Sequence, residues 1–331
     1  MTARLLVVRA GAGVTVQDFG RKGFRALGVP VSGALDAGLL AAANALAGAP
    51  EGAAGIEILL AAPEFRVEEG AARISLAGDV AGIFTRASGA SESFAPWRGL
   101  VLGEGDSLAL RLRRGPAYLG FSGGLDEPLA LGSRSTFERA RLGRALAAGD
   151  TLVCGAAHGG DVAAPPLPRP GAPARFIPGP QADRFPPETL ALFARAEWRV
   201  GADSDRMGLR LSGPPLAHGS GGANIVTDGA TPGAIQVPGD GQPIVLRADC
   251  QTSGGYAKIG CVILADLPRL AHAGPGDILT FSPVDHAAAA TARSAAREAC
   301  ARWRERIGPR GELDADRLWS ENLISGATSG E

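Results

Sequence analysis

Short apolar runs separated by polar or glycine-containing breaks fill most of the first 155 residues. The runs are RLLVVRA (4–10), VTVQD (14–18), GIEILL (55–60), EFRVE (64–68), RISLAGD (73–79), AGIFTR (81–86) and DSLALRL (106–112). Several of them alternate between apolar and polar positions, and glycine, proline or acidic residues bound them. This pattern is typical of short β-strands joined by turns.

One segment of this first half changes period. In SGALDAGLLAAANALAG (32–48), leucine and alanine recur at intervals of three and four, which predicts a helix. Ser32 is a suitable N-cap, and Gly48 stands where a left-handed residue would end the helix.

The second half repeats the strand pattern and adds two helices. Its predicted strands are WRVG (198–201), IQVP (235–238), PIVLRAD (243–249), KIGCVILAD (258–266) and ILTFS (278–282). Prolines in the first turn favour a helix over 186–198, and Asp285 can cap a long helix over 285–307. The tail from Gly308 is polar, and we expect it to be mobile.

Three Gly-Asp pairs each precede an alternating run: Gly105-Asp106, Gly149-Asp150 and Gly276-Asp277. Such a pair suits a tight turn that enters a strand. Their recurrence late in each half suggests two related β units.

Proline and glycine clusters between the halves predict a linker. The expected organisation is a first domain at 1–155, a linker at 156–173, a second domain at 174–284, and a helix with a tail at 285–331. Many short strands and few helices favour β barrels or sandwiches.

Composition excludes several classes of function. The net charge is −1 without a basic run, so we expect no nucleic-acid partner. No uncharged apolar run reaches 18 residues and the N-terminus lacks a signal-peptide pattern, so we expect a cytoplasmic protein without a membrane span. Four cysteines and four histidines lack ligand spacing, so no metal site can be read. There is no GxxxxGK[ST] loop, no GxSxG elbow and no biotin-bearing Met-Lys-Met.

Two long segments are distinctive. They are 15–48, which contains TVQDFGRKGFRALGVPVSGALD, and 204–277, which contains SDRMGLRLSGPPL and PGAIQVPGDGQPIVLRADCQTSGGYAKIGCVILAD. Together with GGLDEPLALGSRST (123–136) and PGPQADRF (178–185), they resemble the allophanate hydrolase subunit 2 family of biotin-dependent carboxyltransferases. That family includes the C-type subunits of 5-oxoprolinases, the KipA proteins and the matching part of urea carboxylase. The resemblance extends from Val8 to Phe281 and implies a mainly β chain with two tandem cyclophilin-like β-barrel domains.

Two positions depart from the family pattern. Glutamine is usual where His272 stands, and a residue other than cysteine is usual at Cys250. Both departures affect the expected shape of the pocket.

The densest group of polar residues is Asp249–Lys258. The candidate catalytic residues are Asp249, Gln251, Thr252, Tyr256 and Lys258. Asp249 and Gln251 would share one strand face and offer both acceptors and donors to a planar amide, lactam or urea. Gly254 and Gly255 allow positive φ, and their backbone N–H groups could face an oxyanion. The alternative is a tight, hydrogen-bonded turn between core strands.

Three candidates have open alternatives. Lys258 is either a point charge for an anionic group or a solvated strand lysine. Gln236 is either a buried structural amide or a pocket wall. Arg206 can hold a substrate carboxylate with two hydrogen bonds, or it can pair with Asp205 to brace a barrel corner.

The N-terminal motif offers a second set of substrate-binding candidates: Gln17, Asp18, Arg21 and Ser32. A helix N-terminus attracts anions, so this region could receive a carboxylate or phosphate. For Ser32, ordinary capping is the stronger interpretation. The other three residues could equally face a partner protein.

The resemblance implies an enzyme subunit that takes part in ATP-dependent opening of 5-oxo-L-proline to L-glutamate, with ATP as the cofactor. Its partners would be a smaller homologous B-type subunit and an A-type subunit. One alternative is a carboxyltransferase that moves the carboxyl group from biotin, carried by another protein, to urea or a similar amide. The other is a KipA-like regulatory binding protein.

Overall fold

The computed structural model describes residues 2–309. The strands are β1 Thr2–Arg9, β2 Val14–Gln17, β3 Gly55–Ile58, β4 Glu64–Glu69, β5 Ala71–Thr85, β6 Ser91–Phe94, β7 Arg98–Gly103, β8 Ser107–Phe121, β9 Thr151–Gly155, β10 Val162–Ala163, β11 Ala174–Pro178, β12 Trp198–Val200, β13 Gly208–Ser212, β14 Asn224–Gly229, β15 Ala234–Gln236, β16 Ile244–Leu246, β17 Ser253–Tyr256, β18 Lys258–Val262, β19 Ile278–Leu279, β20 Phe281–Pro283 and β21 Gly308–Pro309. The α-helices are α1 Ala37–Ala47, α2 Pro187–Arg195, α3 Leu267–Ala271 and α4 His286–Arg304. The chain is therefore mainly β with a C-terminal helix, as predicted.

Eleven strands form the first sheet, which is a nearly closed barrel. Its main path runs β21-β10-β7-β5-β8-β4-β1-β9, and β2, β3 and β6 pair alongside it. The long strands β5 and β8 pair antiparallel over most of their length, from Ile74 opposite Phe121 to Thr85 opposite Ser107. Apolar residues such as Leu5, Ile56 and Leu119 fill its interior.

The second sheet has eight strands in the order β19-β12-β13-β16-β15-β18-β11-β20. It encloses a separate core that includes Phe176, Phe193, Trp198 and Phe281. Strands β14 and β17 form a two-stranded ribbon of their own. No helix within residues 2–309 is both long and apolar enough to cross a membrane.

Helix α1 confirms the helical period in 32–48 but not its predicted cap. The N-cap is Asp36, whose carboxylate accepts from the Leu39 backbone N–H at 3.0 Å. Ser32 lies four residues earlier, in a left-handed conformation with φ 57°. Gly48 is the left-handed C-cap, as predicted. The prediction for Ser32 was wrong because an aspartate closer to the apolar run satisfies the free N–H groups.

The three Gly-Asp predictions are confirmed. Each pair immediately precedes a strand, namely β8, β9 and β19. The glycines Gly105, Gly149 and Gly276 have φ of 83°, 93° and 88°, in the left-handed region that favours glycine.

The predicted linker is partly regular structure. Within it, β10 pairs with both β7 and β21, so residues 162–163 belong to the first sheet. The predicted tail also begins with a strand, because Gly308 and Pro309 form β21, and the rest of it lies outside the described residues. Sequence composition missed both strands because each has only two residues and depends on a partner far along the chain.

A third apolar cluster joins the helices to the first sheet. Helix α1 packs Leu39, Leu40 and Leu46 against this cluster, which also contains Tyr118 of β8 and Trp303 of α4. The packing fixes the N-terminus of α1, and with it the loop before the helix, near the junction of the two sheets.

Candidate functional site

A cleft of about 520 Å³ lies where the two halves of the chain meet. The first half contributes, among others, Thr15, Gln17, Leu35, Thr136 and Arg139. The second half contributes, among others, Asp205, Arg206, Met207, Arg247, Asp249 and His272. Polar groups from residues far apart in sequence therefore converge on one concave surface, which is the usual character of a small-molecule site.

Arg206 is the centre of a buried ion cluster beside the cleft. Its Nε donates to Asp249 Oδ2 at 2.7 Å, its Nη2 to Asp249 Oδ1 at 3.0 Å and to the Gly33 carbonyl at 2.6 Å. Its Nη1 donates to Glu57, which has no exposed surface. The guanidinium thus joins the turn after β16 to strand β3 of the first sheet.

The carboxylates decide the charge of this arginine. Burial opposes the charged form, but the Coulombic attraction of Glu57 and Asp249 outweighs it and raises the pKa of Arg206. Arg206 therefore stays protonated, and each of its three guanidinium nitrogens donates to a protein atom. The prediction that Arg206 holds a substrate carboxylate has no support in this geometry.

Tyr118 and the backbone of Leu35 also donate hydrogen bonds to Glu57. The Tyr118 hydroxyl donates to Glu57 Oε2 at 2.5 Å, and the Leu35 backbone N–H donates to the same oxygen at 2.8 Å. Burial, followed by the charges of Glu57 and Asp36, raises the pKa of Tyr118 well above its usual value. Tyr118 therefore remains a neutral hydrogen-bond donor. We call Arg206, Glu57, Asp249, Ser32 and Tyr118 the Arg206 cluster.

Ser32 reaches the cluster through an unusual backbone. Its left-handed conformation and that of Gly33, with φ 86°, turn the chain so that Ser32 Oγ donates to Asp249. The Ser32 backbone N–H donates to the Ala248 carbonyl at 3.1 Å. Ser32 thus joins the two halves of the chain, and its predicted role in substrate binding stays a prediction.

His272 lies at the cleft wall and contacts the start of α1. Its Nε2 is 3.0 Å from Asp36 Oδ2, while the Asp36 backbone N–H donates to the Tyr118 hydroxyl at 2.9 Å. The departure from the family pattern at His272 therefore touches the polar network behind the Arg206 cluster.

Asp249 and Gln251 do not share a strand face as predicted. Neither residue lies in a strand, because β16 ends at Leu246 and β17 begins at Ser253. A turn closed by the Cys250 N–H and the Arg247 carbonyl, 3.1 Å apart, separates them from β16. Alternation could not apply to a segment that turns.

Gln251 instead joins a second group of polar side chains. Its Nε2 donates to Gln236 Oε1 at 3.3 Å, and Gln236 Nε2 is buried without a partner. Lys258 is 4% exposed and its Nζ is 2.8 Å from Asp228 Oδ2. With Gly254, which lies against Gln236, these residues form what we call the Gln236 cluster.

At Gly254 of β17 the absence of a side chain makes room for Gln236. Gly254 and Gly255 do not adopt positive φ, so that expectation was wrong. A Cβ at Gly254 would lie 2.4 Å from Gln236 Nε2, whereas one at Gly255 would meet only the Ile225 carbonyl, at 3.7 Å. Thr252 precedes β17, and its backbone carbonyl accepts a hydrogen bond from the Ala230 N–H at 2.9 Å. Tyr256, at the end of β17, is 41% exposed.

Asp18 is occupied within the protein. It accepts hydrogen bonds from the hydroxyls of Ser133 and Ser135 and from the backbone N–H groups of Gly20 and Arg134. Burial opposes its charge, but these hydrogen bonds outweigh it and lower the pKa of Asp18. Asp18 therefore braces the 133–135 loop.

Gln17 and Arg21 differ in their access to the cleft. Gln17 Nε2 donates to Thr15 Oγ1 at 3.1 Å and to the Thr136 carbonyl at 3.2 Å, and its buried Oε1 has no partner. Gln17 lines the cleft. Arg21 is 1% exposed and donates to the carbonyls of Ser135 and Ala130.

Sequence reasoning missed three residues of the site: Glu57, Tyr118 and Arg247. Glu57 stands between two isoleucines in GIEI, and an acid inside an apolar run was the available signal. Its partner Arg206 is 149 positions away, so no local pattern could identify the pair.

Comparison with known proteins agrees with this architecture. Residues 27–283 match the family described as "Carboxyltransferase domain, subdomain A and B". The chain is 36% identical to the C-type subunit of 5-oxoprolinase from Escherichia coli over 286 residues, which cover 84% of this chain and 90% of that protein. It is 34% identical to the corresponding 5-oxoprolinase subunit of Haemophilus influenzae, covering 84% and 91%. It is 31% identical to urea amidolyase of Lachancea kluyveri, covering 85% and 17%.

Solved structures show the same likeness. The crystal structure of TTHA0988 aligns with a TM-score of 0.75 at 33% identity, covering 85% of this chain and 56% of that one. Urea amidolyase of K. lactis aligns with a TM-score of 0.81 at 27% identity, covering 93% and 21%. The chain thus spans about half of TTHA0988 and about a fifth of urea amidolyase. The chain belongs to the carboxyltransferase-domain family.

Proposed function

We propose that this chain is the C-type subunit of a 5-oxoprolinase, which opens the lactam of 5-oxo-L-proline at the expense of ATP. The observation that carries the proposal is the likeness to two 5-oxoprolinase subunits of this type along nine-tenths of their length. The cleft between the two halves is the proposed lactam site. A smaller homologous B-type subunit and an A-type subunit are the proposed partners, and the cytoplasm is the proposed location.

The proposed chemistry consumes two water molecules. Transfer of the γ-phosphoryl group from ATP to the lactam oxygen releases ADP and makes the ring carbon electrophilic. One water adds to that carbon, and the C–N bond breaks as the nitrogen takes a proton and leaves as the amine. A second water splits the resulting acyl phosphate into L-glutamate and phosphate.

The chain contributes a rigid polar wall to this reaction. Asp249 lines the cleft, and Arg206 and Ser32 fix its carboxylate. On the wall formed by the first half, the amide oxygen of Gln17 has no hydrogen-bond partner. Such fixed groups can orient a planar amide and a water molecule, and orientation contributes strongly to rate.

The test is co-expression with the A-type and B-type partners and measurement of phosphate release that depends on 5-oxo-L-proline. We expect the wild-type complex to release phosphate in this assay. In Asp249→Asn we expect a kcat at least about 100-fold lower, since a misplaced orienting group has an effect of that order. Asp203→Ala, at an exposed acid nearby, is the matched control. An assembled complex without lactam-dependent phosphate release would refute the proposal.

The likeness to urea amidolyase supports a second candidate, a carboxyltransferase acting on urea. The same complex, supplied with carboxybiotin on a carrier protein, would then carboxylate urea. Activity with urea and none with 5-oxo-L-proline would favour this candidate over the first.

A further inference from the structure

Arg247 lines the cleft on the side of the second half. It follows β16, and backbone carbonyls hold its guanidinium: Nη1 donates to Asp205 at 3.2 Å, and Nη2 to Leu270 at 2.7 Å and Ala271 at 2.5 Å. Its Nε is buried without a hydrogen-bond partner. These contacts fix the position of the guanidinium, but the carbonyls are neutral and so do not compensate its positive charge.

Asp205 accepts from Arg247 on its backbone carbonyl, but its carboxylate is engaged by other groups. Its Oδ1 accepts from the backbone N–H groups of Met207 at 2.8 Å and Gly208 at 3.2 Å. Its Oδ2 accepts from Arg139 at 3.3 Å. Asp205 therefore offers Arg247 only its carbonyl oxygen.

Glu57 and Asp249 are also committed, because both pair with Arg206. Burial lowers the pKa of Arg247 to about 10, and the charge of Arg206 adds to that shift while Glu57 opposes it. Within residues 2–309, no carboxylate forms an ion pair with Arg247. A buried guanidinium without an acid partner favours an anionic ligand.

The opposite wall carries the complementary feature. The Thr136 carbonyl can only accept, so it must face Gln17 Nε2, which leaves Gln17 Oε1 as the free atom. The cleft thus offers an acceptor on one wall and a cation on the other. A small molecule with an amide N–H and a carboxylate matches both, whereas urea matches only the acceptor.

We propose that Arg247 binds the carboxylate of the substrate, while Gln17 Oε1 accepts its amide N–H. This inference rests on the proposed function in naming 5-oxo-L-proline as the ligand. It reassigns to Arg247 the carboxylate-binding role that the sequence suggested for Arg206.

The test is calorimetric titration of the assembled complex, without ATP, with 5-oxo-L-proline and with 2-pyrrolidinone, the same lactam without the carboxylate. We expect wild type to bind 5-oxo-L-proline about 10- to 100-fold more tightly, since a hydrogen-bonded charge pair has that effect on affinity. Arg247→Gln should lose this preference, and Arg247→Lys should keep part of it. Arg210→Gln, at an exposed arginine of β13, is the matched control. An unchanged preference in Arg247→Gln would overturn the inference.

A second readout is taken on the wild-type protein, so it does not depend on how well Arg247→Gln folds. In the ¹⁵N spectrum of wild type, the arginine Nε–H resonance that disappears in Arg247→Lys should shift with 5-oxo-L-proline and stay in place with 2-pyrrolidinone. If the complex lacks 5-oxoprolinase activity, succinamate, which also carries an amide and a carboxylate, replaces 5-oxo-L-proline. A shift with succinamate then supports Arg247 as a carboxylate site although the proposed function has failed, and no shift with either acid overturns the inference.

Discussion

The Arg206 cluster and the Gln236 cluster both include residues of the segment 204–277 but satisfy their polar atoms differently. In the first, Arg206 and the carboxylates of Glu57 and Asp249 are buried together, and each makes several hydrogen bonds. In the second, Gln236 Nε2 has no partner, and Lys258 reaches an acid that is half exposed. In these two clusters the buried charges are fully paired, whereas a buried neutral amide leaves one hydrogen-bonding group without a partner, because an unpaired charge costs far more to bury than an unpaired amide.

The largest expected effect is the loss of the central cation. Arg206→Met leaves two carboxylates buried without their partner, and we expect a loss of about 3–5 kcal/mol in the free energy of unfolding. Urea denaturation measures it, with Arg210→Met, at an exposed arginine of β13, as the control. Equal stability of the two variants would show that the cluster contributes no more than a surface arginine.

The next effect is steric and belongs to the Gln236 cluster. A methyl group at Gly254 would lie 2.4 Å from Gln236 Nε2, so Gly254→Ala must displace that buried amide at a cost of about 1–3 kcal/mol. A methyl group at Gly255 would make only an ordinary contact with the Ile225 carbonyl, at 3.7 Å, so Gly255→Ala is the control in the same strand. Equal unfolding midpoints for both would indicate that Gln236 moves away freely.

A smaller effect depends on pH. The folded-state pKa of Asp18 lies below its ordinary value of 3.8, so ionised Asp18 stabilises the fold above that pH, and the stabilisation is lost as pH falls through the lowered pKa. Asp18→Asn should therefore show a weaker decline of stability on acidification below about pH 4. Thermal unfolding between about pH 2.5 and 6 measures the slopes on both sides of the transition. Parallel curves for both proteins would contradict the role of Asp18.

The smallest effect is expected at Lys258. Its partner Asp228 is half exposed, so Lys258→Met leaves an acid that water can solvate. We expect an unfolding midpoint closer to wild type than that of Gly254→Ala. A larger loss than in Gly254→Ala would place Lys258 with the buried charges of the Arg206 cluster.

Local patterns predicted the fold well where the cause is local. The apolar period of α1, the cap at Asp285 and the Gly-Asp entries to β8, β9 and β19 all follow from neighbouring residues. The strand at 162–163 was missed because its pairing, not its composition, makes it a strand.

The site was predictable in part for a similar reason. Asp249, Gln17 and Arg206 were selected from motif density, and all three line the cleft. The separation of Asp249 from Gln251 was not predictable, since it depends on a turn without a distinctive residue. The partners of Arg206 could not be read because they lie far from it in sequence, Glu57 on β3 and Asp249 in the turn after β16.

The short strand β21 has a consequence for how the halves depend on each other. After completing the second sheet and α4, the chain returns to pair with β10 and so adds the last strand at one edge of the first sheet. A gene cut within the intervening segment would give an N-terminal fragment without its edge strand and a C-terminal fragment with an unmatched one. The two β units are thereby interlocked in assembly.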